Sequence, residues 1–463
     1  MRGSIWAAAM LGAATMAAPA WAGPATVNNG SQFTTTTGGQ IDAHGGGVIK
    51  VGNYYYFLGE NRNPDYSFRA VSMYRSTDLK TWEFRNDILK QSSAEELNFV
   101  NIERPKVLYN AKTKKFVLWA HKENGRDYVE ARVAVATSDT VDGNYTYLGS
   151  FNPLGYESRD MTVFQDTDGS AYLISAAAVN YDLNIYKLSD DYTKIDKLVT
   201  VLQGHHREAP AIVKRGGTYF LLTSGASGWN PNTAAYFTAA SLAGPWSGPH
   251  WFGHNYTYNS QSTFILPVQG SMGTSYLYMG DRWGPASGQI VNDSTYVWLP
   301  LRFPTPTSLD MPFASQITID AARGTIALGS PETQLVRAKV AHSNLCLNIN
   351  GYGETYGAKA IQWTCNREGN EMIERRKVGN YTQLVFQHSG LCLAQDNDNA
   401  YGTLTVQTSC SIGPRSQWTI SGDRIVNRQS GSCLAVGAAS QDLAKDVIVW
   451  PCTGDAEQKW TFE

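Results

Sequence analysis

The sequence predicts an all-β protein in which a five-bladed β-propeller is followed by a β-trefoil. Three observations predict this fold class. Strand-like aromatic segments recur five times in the larger N-terminal part, cysteine-bounded repeats recur three times in the tail, and no long helical periodicity interrupts either set. The chain has 463 residues, so more than one domain is expected.

The first 22 residues are typical of a secretory signal. Arg2 supplies a positive charge, a short apolar run follows, and an A-x-A cleavage motif ends at Ala22. The apolar run is too short to span a bilayer as a helix. We therefore expect a secreted protein, extracellular or periplasmic, that begins at Gly23 and can form disulfides.

The five aromatic segments begin at intervals of roughly fifty residues, the size of a propeller blade. Turn residues precede each segment, as Val51-Gly-Asn53 precedes the first. A β-sandwich is the alternative for many short strands, but it does not predict five similar units. The segments are residues 54–60, 116–120, 172–175, 219–223 and 276–280.

All six cysteines lie in the tail, in three repeats that each open with Cys-Leu and reach a second cysteine roughly twenty residues later. A metal site is the alternative, but the spacings are wide and no histidine lies at ligand spacing. We expect the propeller over residues 23–325, a linker over 326–336 and the trefoil over 337–463. The threefold period predicts the pairs Cys346–Cys365, Cys392–Cys410 and Cys433–Cys452.

The charge and composition narrow the range of partners. The formal net charge is −2 and the sequence has no basic stripe, which argues against nucleic acid and anionic membranes. Aromatic residues make up 12% of the chain, which suits stacking on sugar rings, although aromatic β-sheet cores explain most of them. No cofactor and no metal site is predicted.

One polar residue precedes each aromatic segment by a similar distance, and in a propeller such equivalent positions converge on the central axis. Three of the five are carboxylates, which repel one another and should raise at least one pKa. Glu208 is the best candidate for a general acid, because the apolar residues that follow it would desolvate it. The five residues are His44, Glu103, Asp160, Glu208 and Gln261.

Around these residues the chain resembles glycoside hydrolase family 43, and within it the exo-β-1,3-galactanase branch. The tail resembles carbohydrate-binding module family 13, the ricin-B type. The segments that carry the first resemblance run in order along the chain. They are Ala43-His-Gly-Gly-Gly47, Glu103-Arg-Pro-Lys106, Ser158-Arg-Asp160, Glu208-Ala-Pro210, Ser227-Gly-Trp-Asn-Pro231, Ser260-Gln261 and Met279-Gly-Asp-Arg-Trp283.

The resemblance implies an inverting hydrolase with Glu208 as proton donor. Asp160 would tune and orient the donor, and Glu103 would bind the sugar beside the scissile bond. The aspartate that serves most of the family as base is missing, and the branch has a glutamine where Gln261 stands. That amide would act as an imidic acid or hold the water, with Asp42 as a substitute base. Donor and base should then lie roughly 6.5–9.5 Å apart.

The resemblance also implies which residues bind the substrate. Ala226 stands where the branch has a threonine, so the sugar contacts should differ there. In the trefoil the first repeat is the best candidate for a sugar pocket, and a purely structural trefoil is the alternative. The predicted substrate-binding residues are His44, Asp42, Tyr128, Asn180, Asp281 and Trp229 in the propeller, and Asn348, Trp363 and Asn366 in the trefoil.

The resemblance therefore implies an enzyme that releases galactose from β-1,3-galactan or arabinogalactan. An α-L-arabinofuranosidase or a β-xylosidase of the same family is the first alternative. The second is a propeller that binds sugar without catalysis, which the missing aspartate favours. Glu103, Asp160 and Glu208 together favour the enzyme.

Overall fold

The computed structural model describes residues 23–253, 256–329, 335–353, 355–399, 401–410 and 413–463. The predicted signal, residues 1–22, lies outside these ranges. Within them the chain forms β-strands and short 3₁₀ turns without an α-helix, so the all-β prediction is confirmed. None of the described helices has the length and apolar character that a membrane span requires.

After β1 (Ala25–Asn28), the chain forms five four-stranded antiparallel sheets, each from consecutive strands. The first sheet contains β2 (His44–Val51), β3 (Tyr54–Arg62), β4 (Phe68–Ser76) and β5 (Glu83–Lys90). The second contains β6 (Asn101–Asn110), β7 (Lys115–Glu123), β8 (Arg132–Ser138) and β9 (Thr146–Phe151). The third contains β10 (Met161–Gln165), β11 (Ala171–Ala177), β12 (Asp182–Leu188) and β13 (Ile195–Leu202). The fourth contains β14 (Arg207–Arg215), β15 (Thr218–Gly225), β16 (Ala235–Ala239) and β17 (Ser247–Trp251). The fifth contains β18 (Gln261–Gly270), β19 (Gly273–Arg282), β20 (Thr295–Thr305) and β21 (Ser308–Asp310).

The first strand of each sheet contacts the first strand of the next sheet, and β18 contacts β2. The sheets therefore form a closed ring around a common axis, as in a propeller. The aromatic segments of the sequence are the second strands, β3, β7, β11, β15 and β19. Their apolar side chains pack between neighbouring sheets, where Phe57 lies 5.5 Å from the rings of Trp82 and Trp298.

Both ends of this region meet in a small three-stranded sheet. There β1 pairs with β22 (Gln316–Asp320), which pairs with β23 (Thr325–Leu328). Val27, Ile317 and Ile319 are completely buried in it. This pairing ties the beginning of the ring to the chain that follows its last sheet.

The tail forms the predicted trefoil from two sheets, in the orders β24-β28-β29-β30-β31-β35-β34-β33-β32 and β27-β26-β25-β36. All three predicted disulfides are confirmed. The strands are β24 (Leu335–Val336), β25 (Ala338–Val340), β26 (Cys346–Ile349), β27 (Ala360–Trp363), β28 (Ile373–Val378), β29 (Tyr381–Phe386), β30 (Cys392–Gln395), β31 (Thr403–Thr408), β32 (Trp418–Ser421), β33 (Arg424–Asn427), β34 (Cys433–Val436), β35 (Val447–Trp450) and β36 (Trp460–Phe462).

The trefoil core shows the threefold repeat in its hydrogen bonds. The Trp418 indole donates to the Leu393 carbonyl and the Trp460 indole donates to the Leu434 carbonyl, both at 2.9 Å. The first repeat has the smaller Ile373, also fully buried, where a third tryptophan would lie. Among the described residues, 3₁₀ turns lie at Gln91–Ser93, Glu95–Leu97, Pro153–Gly155, Gly284–Ser287, Val291–Asp293, Asn350–Tyr352, Gly413–Ser416, Gly437–Ala439 and Ala456–Gln458.

We expect Cys392→Ser with Cys410→Ser to lower the free energy of unfolding of the trefoil by about 3 kcal/mol, because the bond closes a loop that the unfolded chain must otherwise order. Denaturant unfolding followed by circular dichroism measures this loss. Reductant provides the control, because residues 23–329 contain no cysteine and their unfolding should not respond to it. An unchanged unfolding midpoint in the double variant would contradict the expectation.

Candidate active site

A cavity of about 430 Å³ opens at the end of the ring where the inner strands begin. Glu103 lies near the start of β6, Glu208 is the second residue of β14, Gln261 opens β18, and Asp160 immediately precedes β10. The cavity is lined by Glu60, Glu103, Arg104, His121, Tyr128, Arg159, Asp160, Val179, Asn180, Glu208, Ala226, Gly228, Trp229, Gln261 and Trp283.

The inner strands share a local distortion that directs their first side chains into the cavity. A β-bulge follows Glu103 in β6 and Glu208 in β14. The next residue in each case, Arg104 or Ala209, has a left-handed backbone with φ of 53° or 52°. Bulges of this kind re-aim side chains and are common beside active sites. Equivalent sequence positions therefore reach one place in space.

The Glu208 carboxyl is held at both oxygens. Asn180 donates its side-chain NH₂ to Oε2 at 3.0 Å, and Gln261 donates its own to Oε1 at 2.9 Å. Burial raises the pKa of Glu208 to about 8, and the nearby charge of Asp160 acts in the same direction. Glu208 is therefore protonated at neutral pH.

Asp160 connects the third sheet to its neighbours. Its Oδ2 lies 3.0 Å from Nη2 of Arg104 and accepts the backbone N–H of Ala209 at 3.1 Å. Because Ala209 follows Glu208 in the chain, the Asp160 charge is fixed beside the Glu208 carboxyl. Arg104 compensates that charge from the second sheet.

Glu103 has the opposite electrostatic environment. Its Oε1 accepts hydrogen bonds from Arg62 at 2.6 Å and from the Tyr128 hydroxyl at 2.7 Å, and its Oε2 lies 3.3 Å from Nδ1 of His121. Burial alone would raise the pKa of Glu103, but Arg62, His121 and Tyr128 outweigh it and hold that pKa well below its usual range. Glu103 is therefore an ionised carboxylate.

The amide of Gln261 has a defined orientation. Its Oε1 accepts from the guanidinium of Arg104 and, at 2.7 Å, from the indole of Trp283. Its NH₂ donates to Glu208 and, at 2.9 Å, to the Ser224 hydroxyl. We expected roughly 6.5–9.5 Å between donor and base, but Nε2 of Gln261 lies 2.9 Å from Oε1 of Glu208. This contact leaves no room for a water between the two side chains.

Three residues predicted to bind substrate are not among the residues that line the cavity. His44 and Asp281 are 0% and 2% exposed, and His44 Nδ1 lies 3.0 Å from Asp281 Oδ1. Asp281 also accepts the Gly45 backbone N–H at 2.7 Å. These contacts join β19 of the fifth sheet to β2 of the first. Asp42 accepts from Gln40, away from the cavity wall.

The remaining predicted residues of the propeller lie on the cavity wall: Tyr128, Asn180 and Trp229. The Trp229 ring packs edge-to-face against Trp283 with 5.1 Å between centroids. Ala226 also lines the cavity, so the wall offers a methyl group and no hydroxyl at that point. Apolar rings beside polar groups suit a sugar, which has both kinds of surface.

Sequence reasoning missed the polar residues that end the second strands. The sheet register pairs Glu103 with His121 and Glu208 with Ser224. Glu60 occupies the equivalent end of β3, lines the cavity, and lies 2.7 Å from Arg62. The available signal was the polar residue that follows each aromatic run, because a hairpin places it opposite the start of the inner strand.

One cluster of potential metal ligands was found among the described residues: Glu103, His121 and Asp160 offer atoms within 4.8 Å of one another. Arg62 already contacts Glu103, and Arg104 already contacts Asp160. Each of these two carboxylates therefore already has a guanidinium as its counter-charge.

The predicted trefoil pocket is only partly open. Asn348 is 2% exposed and its Oδ1 accepts a hydrogen bond from Asn370 at 2.7 Å, so it is a core residue and not a surface contact. Trp363 is 37% exposed and Asn366 is also at the surface. Glu371, which was not predicted, accepts the Asn366 backbone N–H at 3.0 Å and so fixes that loop.

Several solved structures resemble this chain. An exo-β-1,3-galactanase from Clostridium thermocellum is 43% identical, with 94% of this chain and 99% of that one covered and a TM-score of 0.69. An exo-β-1,3-galactanase from Phanerochaete chrysosporium, solved with β-1,3-galactotriose, is 30% identical over 92% of this chain and 100% of that one, with a TM-score of 0.64.

A curated relative matches part of the chain less closely. Nigrin b from Sambucus nigra is 24% identical over 181 residues, which are 39% of this chain. The chain spans only 30% of the length of that protein.

Two family profiles match separate parts of the chain. Residues 41–261 match the profile of glycosyl hydrolases family 43, and residues 334–460 match that of the ricin-type beta-trefoil lectin domain. Both predicted resemblances are confirmed. The chain belongs to glycosyl hydrolase family 43 and is a glycoside hydrolase with a C-terminal ricin-type β-trefoil lectin domain.

Proposed function

We propose that this protein is a secreted, inverting exo-β-1,3-galactanase that releases galactose from β-1,3-galactan and from arabinogalactan. The observation that carries the proposal is the convergence of Glu208, held by the neutral amides of Asn180 and Gln261, and Glu103, paired with Arg62 and His121, in one cavity of about 430 Å³. Burial raises the pKa of Glu208, whereas the cations beside Glu103 lower its pKa. In glycoside hydrolases a protonated carboxyl can act as the general acid while a second, ionised carboxyl acts as the anionic partner. The relatives described as exo-β-1,3-galactanases support the choice of sugar and linkage.

The same proposal covers the architecture. The five sheets and the contact of β18 with β2 support five propeller blades over residues 23–325. Residues 326–336 would then be the linker and residues 337–463 the trefoil. The signal-like residues 1–22 and the three disulfides support export.

Glu208 is assigned as the general acid that protonates the glycosidic oxygen. Asn180 fixes Oε2, and Gln261 fixes Oε1 until a sugar enters, so the carboxyl is held in one orientation before the substrate binds. Asp160 helps to keep the proton in place up to about pH 8, because its charge opposes ionisation of its neighbour. A general acid is most useful when its pKa lies near the working pH.

Glu103 and Tyr128 are assigned to binding of the galactose hydroxyls. An ionised carboxylate accepts strong hydrogen bonds, and Arg62 and His121 keep Glu103 ionised when water is displaced. Trp229 supplies an apolar ring on the cavity wall. His44 and Asp281 would act indirectly, by joining the first and last sheets behind the cavity.

Gln261 is assigned to hold the attacking water once a sugar has entered. Its carbonyl oxygen is held by Arg104 and Trp283 and its NH₂ group by Glu208 and Ser224, so the water would displace the Glu208 carboxyl from the NH₂ group. The contact with Glu208 would then open as the sugar occupies the cavity. Asp42 lies away from the cavity wall and is not favoured as the base.

The trefoil is assigned to polysaccharide binding through its first repeat. Trp363 offers an exposed ring and Asn366 an exposed amide, while Asn348 supports the pocket from the core. Retention on the polymer would raise the local concentration of chain ends near the propeller.

The first test is a substrate panel. Purified protein should release galactose from β-1,3-galactan and little or no sugar from arabinan or xylan, as read by chromatography of the products. Glu208→Gln should lower activity on galactan about 10²–10⁴-fold, because the leaving oxygen loses its proton donor. A substrate with a good leaving group should lose less. Release of arabinose or xylose instead would overturn the assignment of the sugar.

The second test uses pH. Activity should decline as the pH rises through about 8, where Glu208 loses its proton. Asp160→Asn should move this decline to lower pH, because removal of a neighbouring negative charge makes ionisation of Glu208 easier. The profile of kcat/KM against pH measures both effects. An unchanged alkaline limb in the variant would contradict the tuning role of Asp160.

The third test distinguishes the candidates for the water-binding group. Gln261→Ala should impair galactan and an activated galactoside alike, because attack by water is common to both. Asp42→Asn is the matched control and should be nearly silent. A large loss of activity in Asp42→Asn together with a small loss in Gln261→Ala would reverse the assignment.

A further inference from the structure

We propose that Glu123, which does not line the cavity, is a positioning residue that fixes two parts of the sugar-binding wall, His121 and the loop carrying Tyr128. This inference rests on the proposed function for its effect on catalysis. Its structural basis is independent of the substrate. Glu123 is the last residue of β7 and is completely buried.

Each oxygen of Glu123 serves one of the two parts. Oε1 lies 2.8 Å from Nε2 of His121, two residues earlier on the same face of β7. Oε2 accepts the backbone N–H groups of Glu130 and Ala131, both at 3.0 Å. A buried carboxylate with both oxygens occupied in this way holds its partners in one geometry.

The loop needs such support. Ala131 has a left-handed backbone with φ of 43°, which costs a non-glycine residue free energy unless surrounding contacts compensate. The Glu123 carboxylate binds the N–H of this residue at the base of the loop. At the far side of the loop, the Tyr128 hydroxyl donates to Glu103. Support at the base thus determines where that hydroxyl lies.

His121 depends on Glu123 for its charge. The groups that face it are Glu103 on β6, Glu123 on β7, Tyr128 on the loop, and Asp160 before β10. Burial alone would lower the pKa of His121, but Glu103 and Glu123 raise it to about 9. The resulting imidazolium keeps Glu103 paired. Without Glu123, His121 would lose one of its two anionic partners while remaining buried.

The test compares Glu123→Gln with Glu130→Gln. Glu130 is on the same loop, but its side chain pairs with Lys122 at 2.7 Å and does not contact His121, so it is the matched control. The first readout is the titration of the His121 imidazole by NMR, assigned with His121→Gln. In Glu123→Gln the pKa of His121 should fall by about one to three pH units, and in Glu130→Gln it should stay unchanged.

The second readout is kinetic, with β-1,3-galactotriose as substrate. Glu123→Gln should lower kcat/KM about tenfold or more, chiefly through KM, because a charged hydrogen bond behind the sugar-binding groups is lost. KM should also begin to rise at a lower pH than in the wild type. Glu123→Asp, which keeps the charge, should retain a high pKa for His121 and part of the activity.

Two results would overturn the proposal: an unchanged His121 titration in Glu123→Gln, or an equal change in Glu130→Gln. The NMR measurement needs no substrate. A protein that does not hydrolyse galactotriose would therefore refute the proposed function while the role of Glu123 is still decided by the titration.

Discussion

The arrangement of the cavity depends on one buried guanidinium, that of Arg104. It is 4% exposed, contacts Asp160 at 3.0 Å, donates to the Gln261 amide, and donates to the Ser262 carbonyl at 2.7 Å. Asp160 is only partly buried, and Arg104 supplies the positive charge that compensates its carboxylate beside Glu208. A cation on the second sheet thereby contacts residues of the third and fifth sheets directly.

The two carboxyls with assigned roles show how neighbours decide the protonation state. Glu103 and Glu208 occupy equivalent positions near the start of inner strands, yet burial has opposite outcomes for them. Arg62 and His121 overcome burial at Glu103 and lower its pKa. At Glu208 the hydrogen-bond donors are neutral amides, and burial together with the charge of Asp160 raises the pKa to about 8. Strand position places a group, and its partners determine its chemistry.

This distinction explains how much the sequence could predict. The repeat spacing predicted the ring, the cysteine pairs, and the convergence of Glu103, Asp160, Glu208 and Gln261, because all of these follow from the order of strands. It could not predict which polar residues become buried partners of one another. Asp281 joins His44 only because the last sheet meets the first, and such a contact across the whole ring leaves no local pattern.

The left-handed residues of the inner strands show why the site is a property of the closed ring. Left-handed backbone costs a non-glycine residue on the order of 1–3 kcal/mol. The bulges also free backbone carbonyls from the strand pairing, so these carbonyls need other hydrogen-bond donors. Lys106 donates its amine to the Gly45 carbonyl at 2.7 Å and to that of Arg104 at 3.3 Å, and the Ser262 hydroxyl donates to that of Ala209 at 2.7 Å. Two of these three bonds cross from one sheet to another. The bulge that aims Glu208 is thus stabilised from the fifth sheet and the bulge of β2 from Lys106 on the second sheet, whereas the Arg104 carbonyl beside Glu103 is satisfied within its own sheet. This part of the catalytic geometry therefore forms together with the ring.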